Sequence, residues 1–555
     1  MSSNPAPGQR RGQLRRRSNG VYLFVQSLLS RSGIAGRAGS HEVSERPSGA
    51  GISDEEEWGT SDAGAPWAML TAAVFVLAFA ARLLPMVLGG GLGGIGGYDD
   101  GVYYTAAASL IHGRMPYNDF LLLHPPGILL VLAPFAWLGS HTSDAAGFAA
   151  ARVAFMLIGA LNTALVVRVL RRFGFPAAAV GGVFYAMFFP AIYAERSTLL
   201  EPLGTLALLV ALVLMGRGRD VPSRWRFYAA GAALGAGVAV KIWYVVAVLV
   251  IVAALRGAAR WPVLAGAAVA AGAICLPFFV AAPTRMFRYV ITDQLGRPGA
   301  HVSMVKRVES IVGLGAVAPE GGSSVLALTA VVLLAAFAVC VLIAFTAPEA
   351  RVFIWLLAAN TVVLLASPSY FKHYSTFTAA PLALIVGVAV GRVVPTMLRF
   401  TFGRPLLGGA AMIAVLGLGA PGVLHLEGTH FPAGPMRPGA ARVHGCVTAD
   451  DPAALVELNV LTSDLNRGCA LWPDVTGWTY DTAEVRTPSG KEESRHKNTV
   501  WQHLVLGYLQ SGSATILARP ETGLSEASRA QIAAGPVLAH AGDYTLRGVR
   551  ATAHG

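Results

Sequence analysis

Two adjacent carboxylates, Asp99 and Asp100, follow the first long apolar run of this 555-residue chain. Tyr103 comes shortly after them. A carboxylate at a membrane surface can take a proton from an attacking hydroxyl, which is general-base chemistry. The alternative is that the pair only caps a helix end or solvates a loop at the interface. Both interpretations place the pair just outside the hydrocarbon layer.

Further ionisable residues collect near the ends of other apolar runs, and they form an acidic and a basic set. Charged groups at membrane depth are costly and usually functional. Basic groups can hold a phosphate leaving group on a lipid carrier while its bond breaks. The two sets together predict transfer of a group from a lipid phosphate to an acceptor alcohol. The candidates are Asp99, Asp100, His124, Glu195, Arg196, Glu201, Lys241, Asp293, Arg297, Lys306, Arg307, Lys372 and His373.

Several of these residues also have a simpler interpretation. Lys241 could snorkel to the interface without any other role. His373, with Tyr370 and Tyr374, could belong to an aromatic belt. Glu201 could stabilise a helix N-terminus, where acids are favoured. The functional interpretation depends on all of them lying on one side of the membrane.

The composition determines the elements that must position these residues. Hydrophobic residues make up 54% of the chain and charged residues 13%, which is too little polar surface for a soluble protein of this length. Apolar windows of roughly 20 residues recur over residues 66–425, each long enough to cross a bilayer. We therefore predict an all-α polytopic membrane protein. The net charge of +12 is attributed to orienting loops and not to nucleic-acid binding. No cleavable signal peptide is expected, because the N-terminus is polar and Arg-rich.

Basic flanks orient the predicted spans, since short cytoplasmic loops carry an excess of Lys and Arg. The Arg-rich N-terminus is expected on the cytoplasmic side of the membrane. The extracytoplasmic side then carries four of the candidates, namely Asp99, Glu201, Lys241 and His373. Eleven crossings then leave the C-terminus outside. They are predicted at about residues 66–88, 146–168, 177–193, 199–215, 227–240, 242–255, 262–281, 324–346, 352–367, 377–391 and 406–425.

The chain divides into three parts by composition. Residues 1–65 are predicted to be a disordered cytoplasmic tail. Residues 66–425 form the transmembrane part, whose first outer loop covers residues 89–145. The apolar piece at residues 128–138 is too short to span, so it is expected to lie on or dip into the outer interface. Residues 426–555 are expected to form a small extracytoplasmic domain of α/β or mixed structure.

The cysteines divide between the two larger parts. Cys446 and Cys469 would both lie outside, in an oxidising space where a disulfide persists. Cys275 and Cys340 fall within apolar spans and are expected to pack there.

The first outer loop resembles that of the GT-C membrane glycosyltransferases that use polyprenyl-phosphate sugars, in particular the protein O-mannosyltransferase and lipid A aminoarabinose transferase group. The matching residues are Asp99-Asp100-Gly-Val-Tyr103, the segment AAASLIHG, and a Gly-x-x-Pro-Tyr turn that ends at Tyr117. An HPPG motif that begins at His124 follows. The resemblance covers about residues 66–400 and implies a GT-C-like fold.

The resemblance also implies roles for the acidic residues. Asp99 would be the catalytic base, with Asp100 as its neighbour. Glu201 lies where the family has a second acidic residue, and Glu195 is the alternative candidate for that position. The chain departs from the family in two ways: it has Asp-Asp where Asp-Glu is frequent, and Glu where some branches have Asp.

The remaining site residues are also assigned by resemblance. Lys241, Arg297, His373 and Tyr374 would bind the donor phosphate. Some members of the superfamily bind a divalent ion, but no ligand cluster stands out in this sequence. No metal ligand is therefore assigned, and the use of a divalent cation stays an open alternative. Support for the acceptor or the outer loop is expected from Tyr103, Tyr117, His124 and Glu195.

The resulting expectation is an inverting glycosyltransferase of the plasma membrane, which moves a sugar from a polyprenyl-phosphate donor to an acceptor hydroxyl on the outer face. Mannose and arabinose are the favoured sugars, and the acceptor is a glycan, a lipid or a protein. The alternative from another class is a transporter or flippase of lipid-linked or anionic solutes, which predicts internal repeats and charges at mid-membrane depth. A third reading is a non-catalytic subunit of a cell-envelope complex.

Overall fold

A computed structural model describes most of the predicted membrane part and of the C-terminal region. The N-terminal tail up to residue 63, the predicted span at about residues 406–425 and Arg297 lie outside the described residues. The described residues are 64–216, 223–295, 302–316, 324–397, 430–481, 485, 493–519 and 522–549.

The chain is a mostly helical, multi-span membrane protein. Among the described residues, six helices are long and apolar enough to cross a bilayer. A bent helix pair raises this number to seven if it counts as one span. In chain order the helices of this part are α1 (Ala65–Leu88), α2 (Tyr98–Ile111), α3 (Gly127–His141), α4 (Asp144–Leu170), α5 (Phe175–Met187), α6 (Phe189–Glu195), α7 (Glu201–Met215), α8 (Arg224–Val240), α9 (Val245–Ala254), α10 (Arg260–Ala281), α11 (Pro283–Phe287), α12 (Asp293–Leu295), α13 (Met304–Ile311), α14 (Ser324–Phe345), α15 (Arg351–Ala366) and α16 (Thr376–Met397).

The described residues contain fewer long spans than the ten of the eleven predicted crossings that fall within them. The six are α1, α4, α10, α14, α15 and α16, several of them with a short 3₁₀ extension. Helix α7 has 15 residues and α9 has 10, and at about 1.5 Å per residue both are shorter than a hydrocarbon core of about 30 Å. Hydropathy windows average over helix ends and breaks, so they do not reveal where a helix stops.

The predicted third span is a broken helix. Helices α5 and α6 meet at an angle of 57°, and Phe188 between them is extended. Pro190 lies in the first turn of α6 and has no N–H to donate to the carbonyl of Ala186, four residues earlier. Arg82 of α1 donates to that carbonyl instead, at 3.1 Å. At the break, the carbonyl that lacks a partner within the helix therefore accepts a hydrogen bond from a side chain of a different helix.

Small residues allow α8 and α10 to pack closely. A Cβ atom added to Gly231 would lie 2.1 Å from the Val263 carbonyl oxygen, and one added to Gly235 would lie 2.2 Å from that of Ala267. Backbones in membrane helices approach this closely only where side chains are small. The contact holds the middle of α8, the helix that precedes Lys241, against α10.

The C-terminal region, residues 430–549, contains a small mixed sheet, as predicted. Strand β1 pairs in parallel with β2, while β4 pairs antiparallel with both β2 and β3, in the order β1-β2-β4-β3. A disulfide joins Cys446 to Cys469, which confirms that prediction. The elements are α17 (Ala433–Ala441), β1 (Val447–Ala449), α18 (Pro452–Glu457), α19 (Leu461–Asn466), α20 (Thr499–Leu509), β2 (Ala514–Ile516), α21 (Glu526–Ala533), β3 (Val537–Ala541) and β4 (Tyr544–Gly548).

This region shares a hydrophobic core with residues 89–145, for which we keep the name first outer loop from the predicted topology. Val102 of α2 and Leu129 of α3 belong to the same buried cluster as Leu455 of α18 and Ile516 of β2. Helix α2 is buried along most of its length, from Asp100 to Ser109. The first outer loop is thus enclosed between the bundle and the C-terminal region.

Candidate active site

The two aspartates of the first outer loop lie in the first turn of α2 but face different surroundings. Successive residues of a helix point about 100° apart. Asp99 keeps 38% of its side chain exposed, whereas Asp100 is fully buried. Both benefit from the positive end of the helix dipole. The pair therefore divides into one accessible and one enclosed carboxylate.

Asp100 is saturated with protein contacts. One oxygen, Oδ2, accepts from Nε of Arg152 at 2.8 Å and lies 2.7 Å from Nη2 of the same residue. The other, Oδ1, accepts from the backbone N–H of Thr198 at 2.8 Å and also from its hydroxyl. Thr198 lies three residues before Glu201, so Asp100 connects α2 to the turn that leads into α7.

Arg152, on α4, holds the segment in front of α2 as well. Its guanidinium donates to the carbonyls of Gly91, Leu92 and Gly94 at 3.0, 2.9 and 3.0 Å. Its side chain is fully buried and ion-paired with Asp100. A buried charge is tolerated when it is paired and its remaining donors are satisfied, and both conditions are met here.

Glu201 and Lys241 form a buried ion pair. Nζ of Lys241 contacts Oε1 of Glu201, and the Lys241 nitrogen lies 4.2 Å from the ring centre of Tyr374 and 4.7 Å from that of Trp243. Lys241 is 3% exposed, so it does not snorkel to the interface. Within the described part of the chain, the second Glu201 oxygen, Oε2, has no hydrogen-bond partner.

His373 connects the ion pair to Asp99. Its Nε2 atom lies 3.8 Å from Oδ2 of Asp99 and 3.9 Å from Oε1 of Glu201. His373 belongs to a 3₁₀ turn, Lys372–Ser375, that precedes α16. We call Asp99, His373, Glu201 and Lys241 the acid–base cluster. It runs from a partly exposed carboxylate to a buried ammonium group, through residues of four separate elements.

Arg307 binds the end of α15, which precedes the turn that carries His373. Its guanidinium donates to the carbonyls of Leu364, Leu365 and Ser367 at 3.1, 3.1 and 2.6 Å. The last carbonyls of a helix have no partner within the helix, and here Arg307 supplies one for the end of α15. The segment after α15 is thereby held next to α13.

Glu195 lies in a separate buried network and is not part of the acid–base cluster. Arg82 donates to its Oε2 from Nε at 2.9 Å. Asn162 and the Tyr185 hydroxyl each donate to Oε1 at 2.7 Å. The carboxylate is fully buried and fully paired. This network holds α6 against α1, α4 and α5, and of the two rival acids only Glu201 meets Lys241 and His373.

The predicted supporting residues build the first outer loop. The Tyr117 hydroxyl donates to the carbonyl of His124 at 2.7 Å, and Tyr117 itself has a positive φ of 68°. The rings of Tyr103 and His124 pack edge to face, with their centres 5.8 Å apart. Arg297 lies outside the described residues. Among the described residues, no group of three His, Cys, Asp or Glu side chains is arranged to hold a metal ion.

Comparison with known proteins identifies the architecture. A model of glycosyltransferase family 87 matches residues 122–368. A structure of ArnT from Cupriavidus metallidurans bound to undecaprenyl phosphate is similar with a TM-score of 0.57 and 15% sequence identity, over 88% of this chain and 99% of that one. This chain has the GT-C fold. The family match covers less than half of the chain, and the structural similarity shows the fold.

A second GT-C protein shows similarity over a large part of the chain. The archaeal oligosaccharyltransferase AglB from Archaeoglobus fulgidus, in complex with an inhibitory peptide and a dolichol-phosphate, has a TM-score of 0.50 at 12% identity, over 82% of this chain and 70% of that one. No curated protein matches the sequence significantly.

Sequence reasoning missed the residues that hold the buried networks of Asp100 and Glu195 together. Arg82 and Arg152 lie inside apolar helices, and an arginine in such a place is itself a signal because it must find a buried partner. Thr198 carries no comparable signal, since threonine is common in membrane helices and loops.

Proposed function

We propose that this protein is a membrane glycosyltransferase that moves a sugar from a polyprenyl-phosphate donor to an acceptor hydroxyl. The GT-C fold and the family match support the class of reaction. The proposal rests mainly on the acid–base cluster, in which His373 lies within 4 Å of Asp99 and Glu201. It combines an accessible carboxylate with basic groups, which are the two requirements of this reaction.

In the proposed mechanism Asp99 accepts the proton of the acceptor hydroxyl. The acceptor oxygen attacks the anomeric carbon and forms the new C–O bond, while the bond from that carbon to the phosphate oxygen breaks. The electron pair leaves with the polyprenyl phosphate. A single displacement of this kind inverts the anomeric configuration. Asp99 is the candidate base because it is the carboxylate of the pair that keeps solvent access.

The departing phosphate requires positive charge nearby. We propose that His373, Lys241 and Arg297 supply this charge, with Glu201 as the counter-ion of Lys241. The Tyr374 hydroxyl would bind the phosphate as a neutral hydrogen-bond donor. Because Lys241 is already paired, an incoming phosphate must share its charge with Glu201. The undecaprenyl phosphate in the ArnT structure and the dolichol-phosphate in the AglB structure support a polyprenyl carrier as the donor lipid.

We further propose that the reaction takes place on the extracytoplasmic face of the plasma membrane, as the basic flanks of the spans predict. Mannose and arabinose are the proposed sugars, and a glycan, a lipid or a protein is the acceptor. A transporter or flippase of lipid-linked solutes is the alternative, and it predicts movement of the donor without formation of a new glycosidic bond.

The test is a transfer assay on the full-length protein in proteoliposomes. Polyprenyl-phosphate mannose and polyprenyl-phosphate arabinose, labelled in the sugar, are incubated with membrane extracts as the source of acceptor. We expect labelled product from one donor, formed about 10²- to 10⁴-fold more slowly when Asp99→Asn replaces the wild type. Translocation of intact labelled donor without product would contradict the proposal and support the transporter.

A further inference from the structure

The residues on either side of Asp99 are tied to the C-terminal region. The Tyr98 hydroxyl, directly before Asp99, donates to Oδ1 of Asp474 at 3.2 Å and accepts from the backbone N–H of Thr476 at 3.1 Å. Two residues earlier, the Gly96 carbonyl accepts from Arg519. Residues 96 and 98 are thus both bonded to residues more than 370 positions later in the chain.

The segment that contacts Tyr98 is itself well ordered by hydrogen bonds. Oδ1 of Asp474 accepts from the Gly477 N–H at 2.7 Å and from the Thr476 hydroxyl at 2.9 Å, which closes a tight turn. Gly477 lies against the first outer loop, since a Cβ atom there would be 2.6 Å from Cδ2 of Leu121. Burial raises the pKa of Asp474, and the nearby carboxylate of Asp99 raises it further.

The other neighbour of Asp99 reaches the same region through one intermediate. Asp100 is bonded to Arg152, and Nη1 of Arg152 lies 3.7 Å from Oε1 of Glu457 on α18. Asp99 is therefore held between two anchored residues, while its own carboxylate lies next to His373. The first turn of a helix is otherwise prone to fraying, because its N–H groups lack partners within the helix.

We infer that the C-terminal region positions Asp99, with Tyr98 and Asp474 as positioning residues for the transfer reaction. The inference rests on the proposed role of Asp99. On this inference the C-terminal region belongs to the active site. It fixes the first turn of α2, so that the Asp99 carboxylate stays aligned with the acceptor hydroxyl. Misplacement by about 1 Å commonly costs up to 100-fold in rate.

Tyr98→Phe removes one hydroxyl and keeps the ring. We expect kcat to fall about 10- to 100-fold, with the KM for the donor unchanged within about twofold, because no proposed phosphate ligand is touched. Asp474→Ala is expected to behave in the same way. Asp474→Asn is expected to restore most of the activity, because its amide oxygen has two lone pairs and can still accept from Tyr98 and Gly477.

Tyr289→Phe is the matched control. The Tyr289 hydroxyl also donates to an aspartate of the C-terminal region, Oδ2 of Asp481 at 3.2 Å, but it lies on the segment after α11 and not beside Asp99. We expect this variant to keep wild-type kcat. Equal losses in Tyr98→Phe and Tyr289→Phe, or none in either, would overturn the inference.

Hydrogen–deuterium exchange of the purified full-length protein in detergent gives a readout that needs no substrate. Backbone amides of residues 97–102 should exchange faster in Tyr98→Phe than in the wild type, and at the wild-type rate in Tyr289→Phe. Unchanged exchange in Tyr98→Phe would also overturn the inference. If the wild type forms no labelled product, the proposed function fails; if the wild type forms product and Asp99→Asn is inactive but Tyr98→Phe is fully active, only this inference fails.

Discussion

At the scale of single residues, the first outer loop places one carboxylate at a partly exposed position, where we propose the chemistry, and the other at a buried position. Asp100 is buried and uses both oxygens on Arg152 and Thr198, whereas Asp99 is partly exposed and lies beside His373. Adjacent residues of the same type can take such different roles because a helix turns them toward different neighbours.

Asp99→Asn tests this division directly. Removing a general base commonly lowers the rate about 10²- to 10⁴-fold, and we expect such a loss in kcat with unchanged binding of the polyprenyl-phosphate donor. Asp119→Asn is the control, since Asp119 is an exposed aspartate of the same loop. Wild-type turnover in purified Asp99→Asn protein would refute the assignment of Asp99 as the base.

The Glu201–Lys241 pair allows a second test by mutant cycle. Removing one partner of a buried ion pair leaves an uncompensated charge and commonly costs about 3–5 kcal/mol, whereas replacing both is much less harmful. We expect Glu201→Gln and Lys241→Met each to lower the thermal unfolding midpoint in detergent, and the double variant to lower it less than their sum. Strict additivity would show that the two side chains do not interact.

At the scale of elements, the cluster depends on helices that stop early or break. Lys241 follows α8 in an extended conformation, at a break before a 3₁₀ turn. Glu201 opens the short helix α7, and His373 lies in the 3₁₀ turn before α16. A membrane protein tolerates irregular backbone next to lipid only where protein surrounds it. Here the irregular backbone frees these side chains to converge.

Helix packing behind Lys241 leads to a prediction at this scale. Gly231→Ala places a Cβ atom 2.1 Å from the Val263 carbonyl oxygen, so α8 and α10 must move apart. We expect a loss of about 1–3 kcal/mol in stability, typical of overpacking, seen as a lower thermal midpoint in detergent. Gly272→Ala on α10 is the control, because its added Cβ would meet no atom within 4 Å. Equal midpoints for the two variants would contradict the close packing.

At the scale of the whole molecule, the C-terminal region and the first outer loop behave as one folded unit with buried charges at their junction. Glu457 lies between Arg152 and Arg437, at 3.7 and 4.0 Å. Burial raises the pKa of Glu457 from its usual 4.5 to about 7, although both arginines oppose that shift. Burial likewise raises the pKa of Asp450 to about 7.

These raised pKa values predict how stability depends on pH. A carboxyl group whose pKa is higher in the folded state than in the unfolded state binds its proton more tightly when the protein is folded. Its contribution to the free energy of unfolding is therefore fully present below about pH 4.5 and is lost as the pH rises through about 7. The thermal midpoint should therefore fall across this window. Glu457→Gln should reduce this fall in the thermal midpoint, although Asp450 should still cause part of it. Glu526→Gln, at an exposed position, should leave the fall unchanged. An unchanged slope in Glu457→Gln would rule out this carboxyl as a contributor.

The sequence by itself determined the class of the protein and most members of the candidate site. Hydropathy indicated a polytopic helical protein, and the types of residue near span ends singled out Asp99, Glu201, Lys241 and His373. These signals are local, because each depends only on a residue and its immediate flanks. The pairing of Cys446 with Cys469 was also predicted from the sequence, since they are the only cysteines of the C-terminal region.

Only the tertiary structure decided how those residues are used. Glu195 and Glu201 are close in sequence, yet one binds Arg82 and the other binds Lys241. The break between α5 and α6 became clear only with Arg82 in place, and the anchoring of Tyr98 by Asp474 spans 376 positions. The energy of a buried polar group depends on the partners that packing brings to it, and no local pattern of residue types specifies those partners.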